Sequence, residues 1–461
     1  MRIDRLKQFI TDPVSHLIDI ENREVSVAAL HDPDLYELEL ERIFARAWLM
    51  LGHESEIPNV GDYVVRLMGE DQVIVSRAND GEVHVMLNVC PHRAMHVCIS
   101  DSGNARAHKC IYHGWAFRPD GSFIGAPIEK ERMHGDIKPK EKLGLKKARV
   151  RVYGGLIFAT WNIDGPGLEE FLGDMKFYYD MLFCRTDKGL EVLGPPQRLT
   201  IDANWKTAGE QSACDGFHTL TLHASLLEGG AMGGEANTEH ENAPAMYGVN
   251  VSGNGHSLRC IPADTSWSMM AGKTHAGMTD DERLELMPPP GITSELLPQV
   301  RKNLTAEQLH VFAKAPPVVG GMFPNVNILF IYSPLRDGTL GSAMVLHSIN
   351  PKGVDKFEWV TWFFAEKDTP EDVKAMMRAA AAQGTGTSGV IEQDDSDTWP
   401  HMSESARGVI GRTETLKYQA ILGENRPADW PDKAKVYAGF SKDDAQWNWW
   451  LAYHDLMTRQ A

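Results

Sequence analysis

Two short stretches constrain this chain more than any others: NVCPHRAMHVC at Asn88 to Cys98, and HKCIYHGWAF at His108 to Phe117. Each sets a cysteine and a histidine almost side by side, as Cys90-x-His92 and, after 17 intervening residues, as Cys110-x-x-His113. The chain has only six cysteines in 461 residues, so a disulfide framework does not organise it. Thiolate and imidazole together are first of all metal ligands.

Structural zinc sites usually pair Cys-x-x-Cys with His-x-x-x-His, or use four cysteines. Here each loop supplies one Cys and one His. That division suits a Rieske [2Fe–2S] cluster, with two thiolates on one iron and two imidazoles on the other. Spacing alone leaves zinc open. Cys98 and His96 lack a matching second half and read as core and surface residues. Trp115 reads as packing over the cluster, and Gly114 as the residue that lets backbone N–H groups approach it.

A length of 461 residues points to two or more domains, and 43% hydrophobic with 24% charged residues is a soluble, globular composition. A net charge of −17 argues against a nucleic-acid partner. The first 20 residues build no signal-peptide core, and no run approaches the ~20 apolar residues of a membrane span. The expected location is the cytoplasm.

Asp32 and Pro33 open a helix with Tyr36, Leu40, Phe44 and Trp48 at helical spacing. From about Trp48, alternating Val-rich stretches separated by turn residues predict a small all-β domain, closed near Trp161, with NIDGPG (Asn162–Gly167) as linker. Beyond it, LEEFLGDMKFYYDMLF and Asn204–Leu227 lean helical, and Gly229 to Gly291 is Gly-rich and weakly patterned. VNILFIYSPL, SAMVLHSIN and FEWVTWFFAE are strands. A helix follows, with Thr369 as N-cap and Asp372 completing a capping box. The expected fold is α+β: an N-terminal helical segment (1–46) packing on the catalytic domain, an all-β domain inserted near the N-terminus (47–165), and a catalytic domain (166–461) with an antiparallel sheet flanked by helices.

The stretch EQSACDGFHTLTLH holds Asp215, His218 and His223. Two histidines and a later carboxylate would make a facial triad for mononuclear Fe(II), although two histidines in a helix also occur as ordinary structural residues. Five positions apart, the rings diverge by about 140° on an ideal helix, so the helix must bulge or break near Thr219–Leu222 for both to meet one metal. A one-electron cluster with an oxygen-activating iron makes a coherent machine.

CPHRAMH with CIYHGWAF, then NWKTAGEQSACDGFHTLTLH, then GVIEQDDSDTW, resemble over nearly the whole chain the α-subunits of Rieske non-haem iron ring-hydroxylating dioxygenases, nearest the biphenyl, naphthalene and polycyclic-hydrocarbon branch. The resemblance implies that Cys90, His92, Cys110 and His113 bind the cluster. It implies that His218, His223 and Asp395 bind iron, with Asp394 the alternative if the register shifts by one. Asp215 would be the bridging carboxylate that links a cluster histidine (His113) of one subunit to His218 of its neighbour. Pocket candidates are Gln211, Ser212, Cys214, Phe217, Thr219, Leu222, Thr385 and Ile391, with Met232, Met246, Met269 and Met270 as candidate channel residues. The family usually has Gly at position 94 (here Ala94) and Asn at 211 (here Gln211).

The implied activity is the addition of both atoms of O2 to an apolar aromatic ring, giving a cis-dihydrodiol. Electrons would come from NAD(P)H through a separate reductase and ferredoxin, because no Gly-x-Gly-x-x-Gly fingerprint is evident. The implied assembly is α3β3 with a small β-subunit. Alternatives are an aromatic carboxylate substrate, for which Arg259 or Arg301 would be needed, and monooxygenation or demethylation on the same metals.

Overall fold

The computed structural model describes residues 12–127, 139–224, 247–264, 277–335, 340–440 and 442–459. The chain divides into two compact units, Leu40–Leu168, and Met1–Glu39 with Glu169–Ala461. These divisions fall at Glu39/Leu40 and Leu168/Glu169, against the sequence-based limits of 47 and 165. Among the described residues no helix is long and apolar enough to cross a membrane.

Among the described residues, the smaller unit is built from three antiparallel sheets. One joins Val83–Leu87, Asp71–Arg77, Asp62–Met68 and Ser102–Asn104 in that order. A second joins Arg149–Tyr153, Leu156–Thr160 and Leu49–His53. Its hairpin turns on Gly154 and Gly155, both at positive φ (56° and 83°), as a two-residue turn that matches strand twist requires. The third is a short ladder of Phe123–Gly125, Ala116–Phe117 and His108–Lys109. Val65, Ile74, Met86, Phe117 and Phe123 share one core with Cys90, Cys110 and Trp115.

The larger unit is organised on a nine-stranded antiparallel sheet whose centre is Val326–Pro334, Leu340–Pro351 and Phe357–Glu366. Helix α1 (Pro33–Glu39) precedes it in the chain, with Asp32 Oδ1 accepting from the amides of Asp34 and Leu35. Helix α2 (Lys176–Phe183) sends Phe183 edge-on to Phe330. On the opposite side chain face, Ala343, Val345 and Phe363 pack on Ala381. That alanine belongs to a later helix, Glu371–Thr385. The earlier part of the chain contributes Glu24–Ser26, which pairs with Thr415–Lys417, and Val27 and Leu30, which pack on Ala406.

Three expectations need correction. The helix Glu371–Thr385 starts one residue later than expected: Pro370 is its N-cap, no side chain caps it, and the Thr369 amide bonds back to Glu366, so no capping box forms. The weakly patterned region contains an antiparallel hairpin, Tyr247–Gly253 with His256–Cys260, in the large sheet. In the helical-leaning stretch from Asn204, the described residues form two short helices, Trp205–Gln211 and Phe217–Thr221, and the first ends earlier than the expected break near Thr219–Leu222. Met232, Met246, Met269 and Met270 lie outside the described residues.

Candidate functional site

In the smaller unit the two Cys/His loops are the same turn made twice. The Cys90 amide donates to Met95 O (2.8 Å) and its carbonyl accepts from Ala94 N (2.9 Å). The Cys110 amide donates to Trp115 O (2.8 Å) and its carbonyl accepts from Gly114 N (3.0 Å). Each closing residue has left-handed backbone, Ala94 at φ 59° and Gly114 at φ 70°. The donors pair by type, histidine with histidine and thiol with thiol. His92 and His113 meet at 4.5 Å between centroids, and Trp115 stacks flat on His92 at 5.1 Å. Both cysteines are buried and unlinked. Burial, with the Cys110 thiol alongside, raises the Cys90 pKa. Two neighbouring buried thiols opposite two paired imidazoles fit a cluster with one sulfur-ligated and one nitrogen-ligated iron.

Sequence reasoning passed over the residue that shapes the first loop. Asn88, fully buried, accepts from the amides of Val97 and Cys98 and donates to Cys98 O. A buried Asn directly before a Val-Cys pair was the available signal. Cys98 is in the core, its sulfur 3.3 Å from His108 Nδ1, with its thiol pushed up to about 12 by burial, and His96 is exposed.

Position 94 yields a stability prediction. An alanine in the left-handed region costs roughly 1–2 kcal/mol relative to a right-handed one, and glycine escapes this. Ala94→Gly is expected to raise stability by about 0.5–1 kcal/mol after the extra unfolded-state freedom of glycine is subtracted. Gly114→Ala should do the reverse, because its Cβ would also lie 2.7 Å from Pro127 Cγ. Denaturant titration of the full chain checks both signs.

In the larger unit, α3 (Trp205–Gln211) is capped by the Asn204 side chain and ends at a turn through Cys214, at φ 67°. Buried Arg259 holds this left-handed residue in place by donating to the Cys214 carbonyl. Helix α4 (Phe217–Thr221) carries His218 and ends before Leu222, so His223 sits in a turn. That break allows both rings to meet, at 5.1 Å between centroids. Following Glu371–Thr385 (α5), helix α6 (Val390–Arg407) supplies Asp394 and Asp395.

The two histidines and three aspartates form a regular arrangement. His218 Nε2 lies 3.9 Å from Asp395 Oδ1, and His223 Nε2 lies 3.6 Å from Asp395 Oδ2. The other nitrogen of each ring faces a second aspartate: His218 Nδ1 is 3.3 Å from Asp215 Oδ2, and His223 Nδ1 is 3.0 Å from Asp394 Oδ2. Adjacent helix residues diverge by about 100°, which is why Asp394 and Asp395 reach opposite edges of one imidazole. Among the described residues, His218, His223 and Asp395 are the group whose donor atoms all lie within 4.8 Å of one another. Paired carboxylates behind metal-facing histidines are the usual means of fixing tautomer and ring orientation.

Electrostatics follow from burial. Burial opposes ionisation of Asp215, yet the His218 hydrogen bond and charge hold its pKa below the ordinary value. Burial lowers the His223 pKa, but Asp395 and Asp394 reverse this and the net direction is upward. Half-buried Glu210 and buried Glu392 have carboxyls pushed well above the ordinary range by desolvation, then by Asp215 and Asp395 respectively.

Of the pocket candidates, Gln211 is the one that touches the triad. Its Nε2 donates to Asp395 Oδ1 (2.8 Å), and its Oε1 accepts from Trp399 Nε1 (2.7 Å). The Ser212 and Thr385 hydroxyls bond back to their own helices, at Ala208 O and Ala381 O. Cys214 is buried against Val319 O, and Thr219, Leu222 and Ile391 are half-buried. Phe217 is 37% exposed, its ring under the Lys442 ammonium. Arg259 is committed to Asn250 and Cys214, and Arg301 to Asp281 and Glu285 at the surface.

Comparison with known proteins places both halves. Residues 47–149 match the model of the Rieske [2Fe–2S] domain, and residues 168–419 that of the ring hydroxylating alpha subunit catalytic domain. The biphenyl 2,3-dioxygenase subunit alpha of Rhodococcus jostii is 32% identical over 426 residues, 91% of this chain and 85% of that one. The N,N-dimethyl phenylurea N-demethylase subunit alpha of Sphingobium sp. is also 32% identical, over 84% of this chain and 80% of its own. The crystal structure of naphthalene 1,2-dioxygenase from Rhodococcus sp. bound to indole superposes with a TM-score of 0.82 at 33% identity, covering 94% of each chain. These matches decide the cluster against zinc and add iron as the second cofactor. The chain belongs to the α-subunits of the Rieske ring-hydroxylating dioxygenase family, oxidoreductases with a [2Fe–2S] cluster and a mononuclear iron.

Proposed function

We propose that this chain is the oxygenase α-subunit that adds both atoms of O2 to adjacent carbons of an apolar aromatic ring, polycyclic rings included. One arene, one O2, two electrons and two protons give one cis-dihydrodiol. The electrons come from NAD(P)H through a reductase and ferredoxin, and a small β-subunit completes an α3β3 assembly. Six free cysteines and this electron supply support a cytoplasmic location. The working domain limits are 47–165 for the cluster domain and 166–461 for the catalytic domain, with 1–46 packed on the latter.

In this reading Cys90, His92, Cys110 and His113 hold the cluster, and His218, His223 and Asp395 hold the iron. When bound, the cluster supplies single electrons and the iron activates O2 at positions its three protein ligands leave open. Asp215 keeps the Nδ1 proton of His218 and, in a trimer, accepts a second N–H from a neighbouring copy's His113. Asp394 holds the Nδ1 proton of His223. The observation that carries the proposal is the convergence of two Nε2 atoms on Asp395, with a separate aspartate behind each ring. The prior engagement of Arg259 and Arg301 favours an apolar substrate over a carboxylate.

One observation favours a second reading, monooxygenation or N-demethylation: the demethylase relative has the same 32% identity as the biphenyl enzyme, over somewhat less of the chain. Isotopically labelled O2 separates them when the chain is reconstituted with reductase and ferredoxin and offered biphenyl or naphthalene. Two labelled hydroxyls support dioxygenation. One labelled oxygen, or activity only on N-methyl substrates, overturns it.

Iron and protons compete for His223. Against burial, Asp395 and Asp394 raise the His223 pKa above the ordinary imidazole value, so Fe(II) affinity should fall as pH drops through it. Below that pKa the weakening approaches about tenfold per pH unit, from one proton displaced. Equilibrium Fe(II) titration between pH 6 and 8 measures this, and a flat profile contradicts it.

A further inference from the structure

Gln211 does not behave as a neutral wall of the pocket. The indole N–H of Trp399 can only donate, so the Gln211 group 2.7 Å from it must be the carbonyl oxygen. The NH2 end is thereby turned to Asp395 Oδ1, at 2.8 Å. Trp399 is itself immobile: it is 2% exposed, and its ring packs at 5.1 Å from Trp359 and 5.8 Å from Phe357. Helix α3 thus reaches α6 through an amide whose orientation cannot flip without leaving both a buried N–H and a carboxylate oxygen unpaired, a cost of about 1–3 kcal/mol each.

We propose that Trp399 and Gln211 form a clamp that fixes the Asp395 carboxylate by one oxygen, presenting Oδ2 toward His223 for the metal. Gln211 and Trp399 are then positioning residues for iron. The inference rests on the assignment of His218, His223 and Asp395 as iron ligands. It assigns a reason for an amide at position 211: the group must accept from an indole and donate to a carboxylate at once, which neither a carboxylate nor an aliphatic residue does.

The test measures Fe(II) dissociation constants by equilibrium titration of metal-depleted catalytic sites in the full chain, alongside unfolding of the same iron-free samples. The variants are Gln211→Met, which keeps the length and loses both bonds, Trp399→Phe, which keeps an aromatic ring and loses the N–H, and their double. Outer partners of metal ligands typically contribute 10–100-fold in affinity. Each single variant and the double are therefore expected to bind Fe(II) at least ~10-fold more weakly. The double removes the orphaned indole N–H, so recovery of wild-type affinity in it would show that the single variants act through a packing defect, and would overturn the clamp. Wild-type affinity in Trp399→Phe would overturn it as well. Asp395→Ala in the same series separates the two levels: if that variant retains iron, the ligand assignment fails; if it loses iron while Gln211→Met does not, only the clamp fails.

Discussion

Asp395→Ala is expected to lose catalytic iron and all product formation, while Asp394→Ala keeps a weakened site. The two residues are neighbours in sequence and similar in charge, yet their geometry assigns them different work. Asp395 faces the Nε2 atoms of both histidines, at 3.9 and 3.6 Å, so its removal deletes a metal ligand. Asp394 faces only His223 Nδ1, at 3.0 Å, where it fixes the ring and its tautomer. Loss of such a partner costs roughly 10–100-fold in metal affinity, and loss of the ligand itself should exceed that. Fe(II) titration and product yield on both variants decide the matter. Equal losses would mean that the two carboxylates are interchangeable and the assignment is wrong.

Lys206→Met is expected to destabilise the larger unit by about 3–5 kcal/mol. Lys206 and Glu39 are 1% and 0% exposed, with Nζ 2.6 Å from Oε1. Burial lowers the lysine pKa, and Glu39 opposes this. Glu39 also accepts from Trp205 Nε1 (2.7 Å) and Tyr453 OH (2.5 Å), so it joins helices α1 and α3 to a C-terminal helix α7 (Asp444–Thr458). Without the ammonium, an unpaired carboxylate is left in a dry core. Adding Glu39→Gln should restore most of the loss, because the amide oxygen still accepts while the charge is gone. Denaturant midpoints of the single and double variants test this. Additive losses in the double would show that shape, not charge, is what the pair contributes.

The strands were legible because strong alternation or continuous apolar runs mark them, as in Val326–Pro334 and Phe357–Glu366. The hairpin Tyr247–Cys260 was not, since Gly248, Gly253 and Gly255 dilute its pattern and its pairing is supplied by distant strands. His218 and His223 could be read only with a broken helix. The location of that break depends on Arg259, whose hydrogen bond to Cys214 joins residues 45 apart. Trp399 and Gln211 are 188 residues apart, so nothing local marks them as partners. The Glu39–Lys206 pair is equally silent in sequence. Long-range polar contacts are specified by the fold, and motif spacing carries only the ligands themselves.

Iron, zinc and acid-labile sulfide per chain, in anaerobically purified protein, decide whether one chain carries both a Rieske cluster and a mononuclear iron. About three irons and two sulfides are expected, two irons with the cluster and one at His218, His223 and Asp395. Zinc without sulfide, in protein never exposed to air, would mean that the chain carries neither.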